Sequence, residues 1–303
     1  MATMDKLKVA IIVLNYKGLA DTLICLDSLR RVKSDNFNLE IIVVDNGSND
    51  GSKEALSNLR DIRLIALEKN LGYSGGNNVG IKEAIKRDVE YILVLNNDTL
   101  IDPNFLIELV NAAKKGDIIS PKIYFAKGFE FHKSRYKKAD LGKVIWYAGG
   151  EIDWQNVIGK HIGVDEVDKG QYSASIETGF ATGACMFVKR EVFEKVGFFD
   201  EKYFLYLEDI DLCQRAKRAG FKITFEPKAI IWHKNASSSG GSGSKLQDYY
   251  ITRNRLLFAF KYAKLKTKLA VFRQILMNMN NSVKRRALVD FITFNFGRGS
   301  FKP

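Results

Sequence analysis

The sequence is poor in the features that mark membrane-spanning, secreted or metal-cluster proteins. It has no run of 18 or more apolar residues, so no bilayer-crossing helix is expected. Its first residues, MATMDKLKVAIIVLNYKG, hold only a short apolar stretch that reads as a strand, and they lack a small-residue cleavage site. A secretory signal peptide is therefore not expected. The three cysteines, Cys25, Cys185 and Cys213, are far apart. That scatter lacks metal-type spacing and fits buried thiols in a reducing cytoplasm. No internal repeat is found. Acidic residues are nearly missing from residues 245–303, where thirteen Lys and Arg face only Asp248 and Asp290, so this segment carries almost all of the formal net charge of +12.

What is there suffices for a sizeable core: 303 residues, 46% of them hydrophobic, allow one large domain or a domain plus an extension. Strand and helix signals alternate through the first 125 residues. KVAIIVLNY, LEIIVVDN, IRLIAL, EYILVLNND and DIISPKIYF read as strands, and helical spacing marks the segments between them. DPNFLIELVNAAKK opens with Asp102 at a cap position and Pro103 at the first helical position. This rhythm predicts an α/β fold with a mostly parallel sheet and helices on both faces. After about residue 126 the pattern changes. VIWYAGGEIDWQNVIGKHIG reads as a hairpin, GACMFVKR as a strand, and EDIDLCQRAKRAG as a helix ending at Gly220. KITFEP and AIIWHK read as two short strands, NASSSGGSGSK as a flexible loop, and the rest as basic helix.

In open α/β sheets ligands bind beyond the C-terminal strand ends. That rule gathers four polar clusters onto one edge: Asn15–Tyr16, Asp45–Asp50, the segment NLGYSGGNNVG, and Asn96–Asp98. The glycine-rich segment follows the third strand, not the first, so it is no dinucleotide fingerprint; its backbone N–H groups could still approach a phosphate at a helix start. Asp98 beside two amides suits a hard divalent cation, and His233 is the other candidate ligand. His132 and His161 read as structural. Glu208 and Asp209 stand at a helix start, where acids also serve the helix dipole; the functional alternative is a general base.

Together, VAIIVLNYKG, IIVVDNGSNDGS, NLGYSGGNNVG, LVLNNDT, TGACMFVKREVFEKVGFFDEKYFLYLEDIDLCQR and WHKNASSS resemble the family-2 inverting glycosyltransferases, in particular the bacterial rhamnosyltransferase-like branch that builds cell-surface polysaccharides. The likeness spans about residues 7–262. It implies the nucleotide-diphospho-sugar transferase (GT-A type) fold, with a catalytic domain over 1–244 and a basic helical extension over 245–303. Within the domain, a nucleotide-binding half runs to about 125 and an acceptor half follows. It further implies that Asn15, Tyr16, Asp45, Asn46, Asn70, Gly72, Gly75, Gly76, Asn77, Asn96 and Asn97 hold the nucleotide-sugar. Asp98 and His233 would bind Mg²⁺ or Mn²⁺. Asn96 stands where the family often has an acid, which leaves Asp98 as the motif's sole carboxylate. Asp209 would be the catalytic base, with Glu177, Thr182, Gly183, Ala184, Glu208 and Arg253 on the acceptor side.

The implied donor is dTDP- or UDP-linked, with rhamnose the first choice, and the acceptor is a glycan or a polyprenyl-diphosphate-linked sugar. The basic tail reads as a membrane-surface helix on anionic lipid or as a helical appendix packed on the domain or on a second subunit; nucleic acid is not an expected partner. The expected location is cytoplasmic, peripheral at the inner face of the cell membrane. Two alternatives remain: a sugar-nucleotide pyrophosphorylase, though NYKGLADT lacks the Gly- and Arg-rich loop such enzymes carry after the first strand, and a non-enzymatic basic nucleic-acid-binding protein.

Overall fold

The computed structural model describes residues 6–235 and 243–301. The first half alternates as β1 (Leu7–Asn15), α1 (Leu19–Leu29), β2 (Phe37–Asp45), α2 (Ser52–Ser57), β3 (Arg63–Ala66), α3 (Gly72–Lys86), β4 (Tyr91–Asn96), β5 (Thr99–Ile101), α4 (Phe105–Ala112) and β6 (Ile118–Phe125). The second half follows with β7 (Ile145–Tyr147), β8 (Gly150–Asp153), β9 (Ile158–His161), β10 (Ile176–Glu177), β11 (Cys185–Lys189), α5 (Arg190–Val196), α6 (Glu208–Arg218), β12 (Ile223–His233), α7 (Lys245–Tyr262), α8 (Leu265–Leu276) and α9 (Ser282–Ile292).

The main sheet runs β10-β12-β6-β11-β4-β1-β2-β3, with β5 on β12 and β7 on β6. Pairing is parallel through β3-β2-β1-β4 and again between β6 and β12. β11 enters antiparallel between β4 and β6. β1 is covered on both edges and both faces, and Val9 to Val13 are wholly buried. A strand in that position has no solvent side, which is why it reads as a continuous apolar run instead of an alternation.

Register places the site. Asn15 lies beside Asp45, and Leu14 beside Asn96, so three polar strand ends share one edge. Because β11 runs the other way, its first residue, Cys185, pairs with Leu95 and brings Thr182–Ala184 to the same edge. β12 ends there too, His233 pairing with both Phe125 and Thr99.

Two local expectations are corrected. Helix α4 starts at Phe105 behind an Asn104 cap, and the Asp102 carboxylate accepts from the Asn104 N–H at 2.8 Å. Pro103 therefore sits in an Asx turn ahead of the helix. KITFEP and AIIWHK form one strand, β12, whose register shifts between Glu226 and Ile230. Pro227 is tolerated at that bulge because it has no N–H to give the ladder. The loop predicted for NASSSGGSGSK falls largely on residues 236–242, outside the described residues.

The basic C-terminal helices enter the same core as the sheet: α7 supplies Leu256, Leu257, Phe258 and Ala259, α8 supplies Val271 and Ile275, and α9 supplies Leu288. No helix among the described residues is long and apolar enough to cross a membrane.

Candidate active site

The sheet edge floors a cleft of about 550 Å³. Beneath it lies a buried polar network. The Asn15 amide donates to Asp45 Oδ1 at 2.7 Å, Thr22 Oγ1 donates to Asn15 Oδ1 at 2.8 Å, and the Asn97 amide donates to Thr22 Oγ1 at 2.9 Å. The Ser48 N–H donates to the second Asp45 oxygen at 3.2 Å. Asn15 and Asp45 are thus occupied in fixing the ends of β1 and β2, while Tyr16, Asn46, Asn70, Gly72, Asn96, Asn97 and Asp98 line the cleft itself. Asn46 ties two loops together, donating to Asn70 Oδ1 and to the Gly72 carbonyl, both at 3.0 Å, and accepting from the Leu71 N–H at 2.9 Å.

Gly75, Gly76 and Asn77 do not line the cleft. A Cβ on Gly76 would stand 2.5 Å from Leu14 Cδ1, and one on Gly75 2.8 Å from Leu71 Cβ. These glycines let α3 lie close against the chain beneath it, so the nucleotide-holding role expected of them is corrected to packing. The Asn77 amide donates back to the Tyr73 carbonyl at 3.0 Å. Gly72 does belong to the cleft: at φ +76° it accommodates Phe204, whose carbonyl would lie 2.5 Å from a Cβ there.

At one end stand Asp98 and His233, 5% and 4% exposed, with Asp98 Oδ1 3.0 Å from His233 Nε2. Trp146 packs edge-on against His233, ring centroids 4.6 Å apart, and the His233 Nδ1 has no hydrogen-bond partner among the described residues. Two ligands cis about an octahedral ion with bonds of about 2.1 Å lie roughly 3.0 Å apart, so this spacing fits a pair holding one small divalent cation. Among the described residues no cluster of three or more His, Cys, Asp or Glu is grouped for a metal.

Glu208 and Asp209 open α6 on the cleft wall. Asp209 accepts two backbone N–H bonds at 2.8 Å, one from Gly183 and one from Ile210. Glu208 is 4% exposed, and its Oε2 has no partner among the described residues. Burial raises both carboxyls above their ordinary values, Glu208 far more, because the neighbouring Asp209 charge adds to its burial while the two N–H groups counteract the rise at Asp209. When two carboxyls share a site, the proton goes to the one with fewer donors. The donors therefore favour ionisation at Asp209 over Glu208.

Thr182, Gly183 and Ala184 line the cleft. The Gly183 carbonyl accepts from Tyr73 Oη at 2.5 Å, and a Cβ on Gly183 would meet that oxygen at 2.8 Å. Two acceptor-side expectations are corrected. Glu177 is exposed in β10, pairing with Thr224, and does not line the cleft. Arg253 is wholly buried, its guanidinium bonded to backbone carbonyls, because α7 folds into the core. Arg255, two residues on, is the arginine at the cleft.

Sequence reasoning gave no site role to Trp146, to residues 157–159 at the start of β9, or to the segment Phe204–Leu207, all of which line the cleft. It also took His161 for a structural residue. His161 lies in the cleft wall, its Nδ1 3.1 Å from the Trp146 carbonyl, and burial pushes it down to about 4, so its imidazole is neutral.

A mixed sheet whose strand ends bring amides, a carboxylate–histidine pair and a helix-borne carboxylate pair around one cleft defines a protein of the nucleotide-diphospho-sugar transferase fold. Solved structures agree at the level of fold. GalNAc-T7 crystallised with UDP, GalNAc and Mn²⁺ superposes with TM-score 0.60 at 14% identity, over 83% of this chain and 51% of that one. TarS 1-349 of S. aureus does so with TM-score 0.52 at 17% identity, over 94% and 71%. The family described as Glycosyl transferase family 2 matches residues 9–197, and the chain belongs to it. It is 30% identical over 251 residues to the low-salt glycan biosynthesis hexosyltransferase Agl10 of Haloferax volcanii, covering 82% of this chain and 74% of that one. It is 26% identical to the N-acetylglucosaminyl-diphospho-decaprenol L-rhamnosyltransferase of Mycobacterium tuberculosis, over 67% and 68% of the two chains. To dTDP-rhamnosyl transferase RfbF of Shigella flexneri it is 25% identical, over 74% and 72%. The protein is a glycosyltransferase with rhamnosyl- and hexosyltransferase relatives.

Proposed function

We propose that this enzyme moves a sugar, rhamnose first among the candidates, from a dTDP- or UDP-linked donor to a hydroxyl of a glycan or polyprenyl-diphosphate-linked glycan, inverting the anomeric carbon. The observation that carries the reading is the convergence of Asp209 and the Asp98–His233 pair on one cleft. Tyr16, Asn46 and Asn70 would receive the nucleotide. The acceptor hydroxyl gives its proton to Asp209 as its oxygen bonds to C1, and the bond from C1 to the diphosphate oxygen breaks on the opposite face. The Glu208 Oε2, buried in the cleft wall and without a partner among the described residues, supports a hydrogen bond to another acceptor hydroxyl.

Asp98 and His233 would hold a Mg²⁺ or Mn²⁺ ion, which would supply positive charge against the leaving diphosphate. The direct test mixes purified protein with a panel of nucleotide-sugars and a hydroxyl acceptor, with and without Mn²⁺. Metal-dependent release of nucleoside diphosphate is expected. Asp98→Ala should lose the metal response, and an unchanged response would remove Asp98 from the ligand set.

The C-terminal helices support a lipid surface as the partner that brings enzyme and acceptor together. On α8, Leu265, Leu269 and Leu276 recur at helical spacing and are 71%, 60% and 44% exposed, interleaved with Lys264, Lys266, Lys268 and Arg273. An apolar stripe flanked by cations matches an anionic bilayer surface, at the inner face of the cell membrane.

A further inference from the structure

The chain leading into Asp209 is not held by its own sequence. Phe204, Tyr206 and Leu207 have φ of +63°, +70° and +69°, and none is glycine. Three left-handed side-chain-bearing residues within four positions persist only where surrounding structure over-determines them. The surroundings here are two consecutive, wholly buried residues of α7. The Asn254 amide donates to the carbonyls of Tyr203, Leu205 and Tyr206 at 2.9, 2.8 and 2.9 Å. The Arg253 guanidinium donates to the carbonyls of Lys202 and Tyr203 at 3.1 and 3.0 Å and to Gly297 at 2.8 Å. It also donates to Asn254 Oδ1 at 3.0 Å, which fixes the amide's orientation. Tyr250, under the guanidinium at 5.1 Å, stacks on Phe204 with centroids 5.3 Å apart. The segment so held faces the cleft and ends at the first turn of α6.

We infer that Arg253 and Asn254 are positioning residues for the transfer reaction: from the C-terminal helix they clamp residues 202–206 in the left-handed path that delivers Asp209 to the Gly183 N–H and the acceptor. The inference rests on the reading of Asp209 as base. It assigns the basic C-terminal segment a part in catalysis that is separate from any surface it binds.

Asn254→Asp keeps the shape of the side chain and replaces its donor amide with an acceptor oxygen facing three carbonyls. The expected result is a folded protein that binds UDP or dTDP within about twofold of the parent, because Asn46 and Asn70 are untouched, while kcat falls by on the order of 10²-fold, the loss a displaced catalytic group brings. With Asp209 displaced, both its burial and its Gly183 N–H bond change, so the acid limb of kcat moves, a change that a general loss of stability does not produce. Hydrogen exchange at residues 203–209 should quicken while that of β1 and β4 stays as in the parent. Arg253→Lys, which keeps the charge but not the fork, should show the same pattern. If Asn254→Asp does not fold, Asn254→Ser, with one donor in place of the amide, carries the same measurements. Parent-like kcat with an unmoved acid limb in a folded variant overturns the inference, as does unchanged exchange at 203–209. An inactive parent enzyme whose 203–209 exchange still responds to Asn254→Asp places the failure in the assignment of Asp209, and leaves the clamp supported.

Discussion

At the residue scale the site turns on two adjacent carboxyls with different donors. Asp209 accepts from two N–H groups, which favour its ionised form, whereas Glu208 Oε2 has no partner among the described residues. Burial raises the Asp209 carboxyl, so the ionised base accumulates only above the ordinary aspartate range, and kcat should climb with pH along a limb displaced upward from 3.8. Asp209→Asn should lower kcat by roughly 10²–10⁴-fold and abolish that limb; a pH–rate profile checks both, and a variant retaining turnover refutes the base. Glu208 gives a stability prediction of definite sign. Its folded-state value lies well above 4.5, so the unfolded chain releases this proton first as pH rises. Its contribution is therefore whole below about pH 4.5 and declines as pH climbs toward the folded value. Glu208→Gln removes the ionisation and should flatten the fall in melting temperature between pH 4.5 and neutrality; an unchanged slope would mean that Glu208 ionises freely. These pairings were partly legible: acids at a helix start are visible in EDID, whereas the N–H of Gly183 that separates the two comes from a different segment.

At the element scale, α6 and α7 are joined by Asp211. It is wholly buried, accepts from Arg215 Nε at 2.9 Å, from Tyr203 Oη at 3.1 Å and Tyr262 Oη at 2.7 Å, and also pairs with Lys261. Burial alone would raise this carboxyl, but Arg215 and Lys261 outweigh it and hold it low. Its stabilisation is accordingly present above about pH 3.8 and lost on further acidification. Asp211→Ala should cost about 3 kcal/mol, the lower part of the range for breaking a buried pair because both cations keep partial solvent access, and urea unfolding at pH 7 measures it. A loss under about 1 kcal/mol would show the network to be dispensable. The elements themselves were largely readable, because apolar runs and helical periodicity are local. The misread boundaries have local causes too: Asp102 found an N–H two residues on before the helix began, and the bulge at Pro227 let one strand pass as two.

At the scale of the whole molecule, the C-terminal segment cannot be lifted off as an appendix, since α7 and α8 place Leu256, Phe258, Ala259 and Val271 in the main core. Ending the chain near residue 245 would expose that core, so the lipid surface is better tested by point changes. Leu265→Glu with Leu269→Glu, both exposed, should leave transfer to a water-soluble acceptor intact and release the protein from phosphatidylglycerol vesicles, and parent binding should weaken with salt. Retention of the double variant on vesicles refutes the surface, and a parent dimer that the substitutions split to monomers in vesicle-free buffer identifies the stripe as a subunit contact instead.

The sequence by itself determined the alternating α/β elements, the polar strand ends and the Asp98, His233 and Asp209 candidates, because strand burial, turn chemistry and motif spacing are properties of short segments. Tertiary structure alone decided that β11 runs antiparallel and so carries Gly183 to Asp209, that Gly76 serves packing, and that Arg253 is locked in the interior while Arg255 reaches the cleft. Each of those outcomes depends on which distant segment lies alongside, and two steps along a helix turn a side chain by about 200°, so Arg253 and Arg255 meet different surroundings.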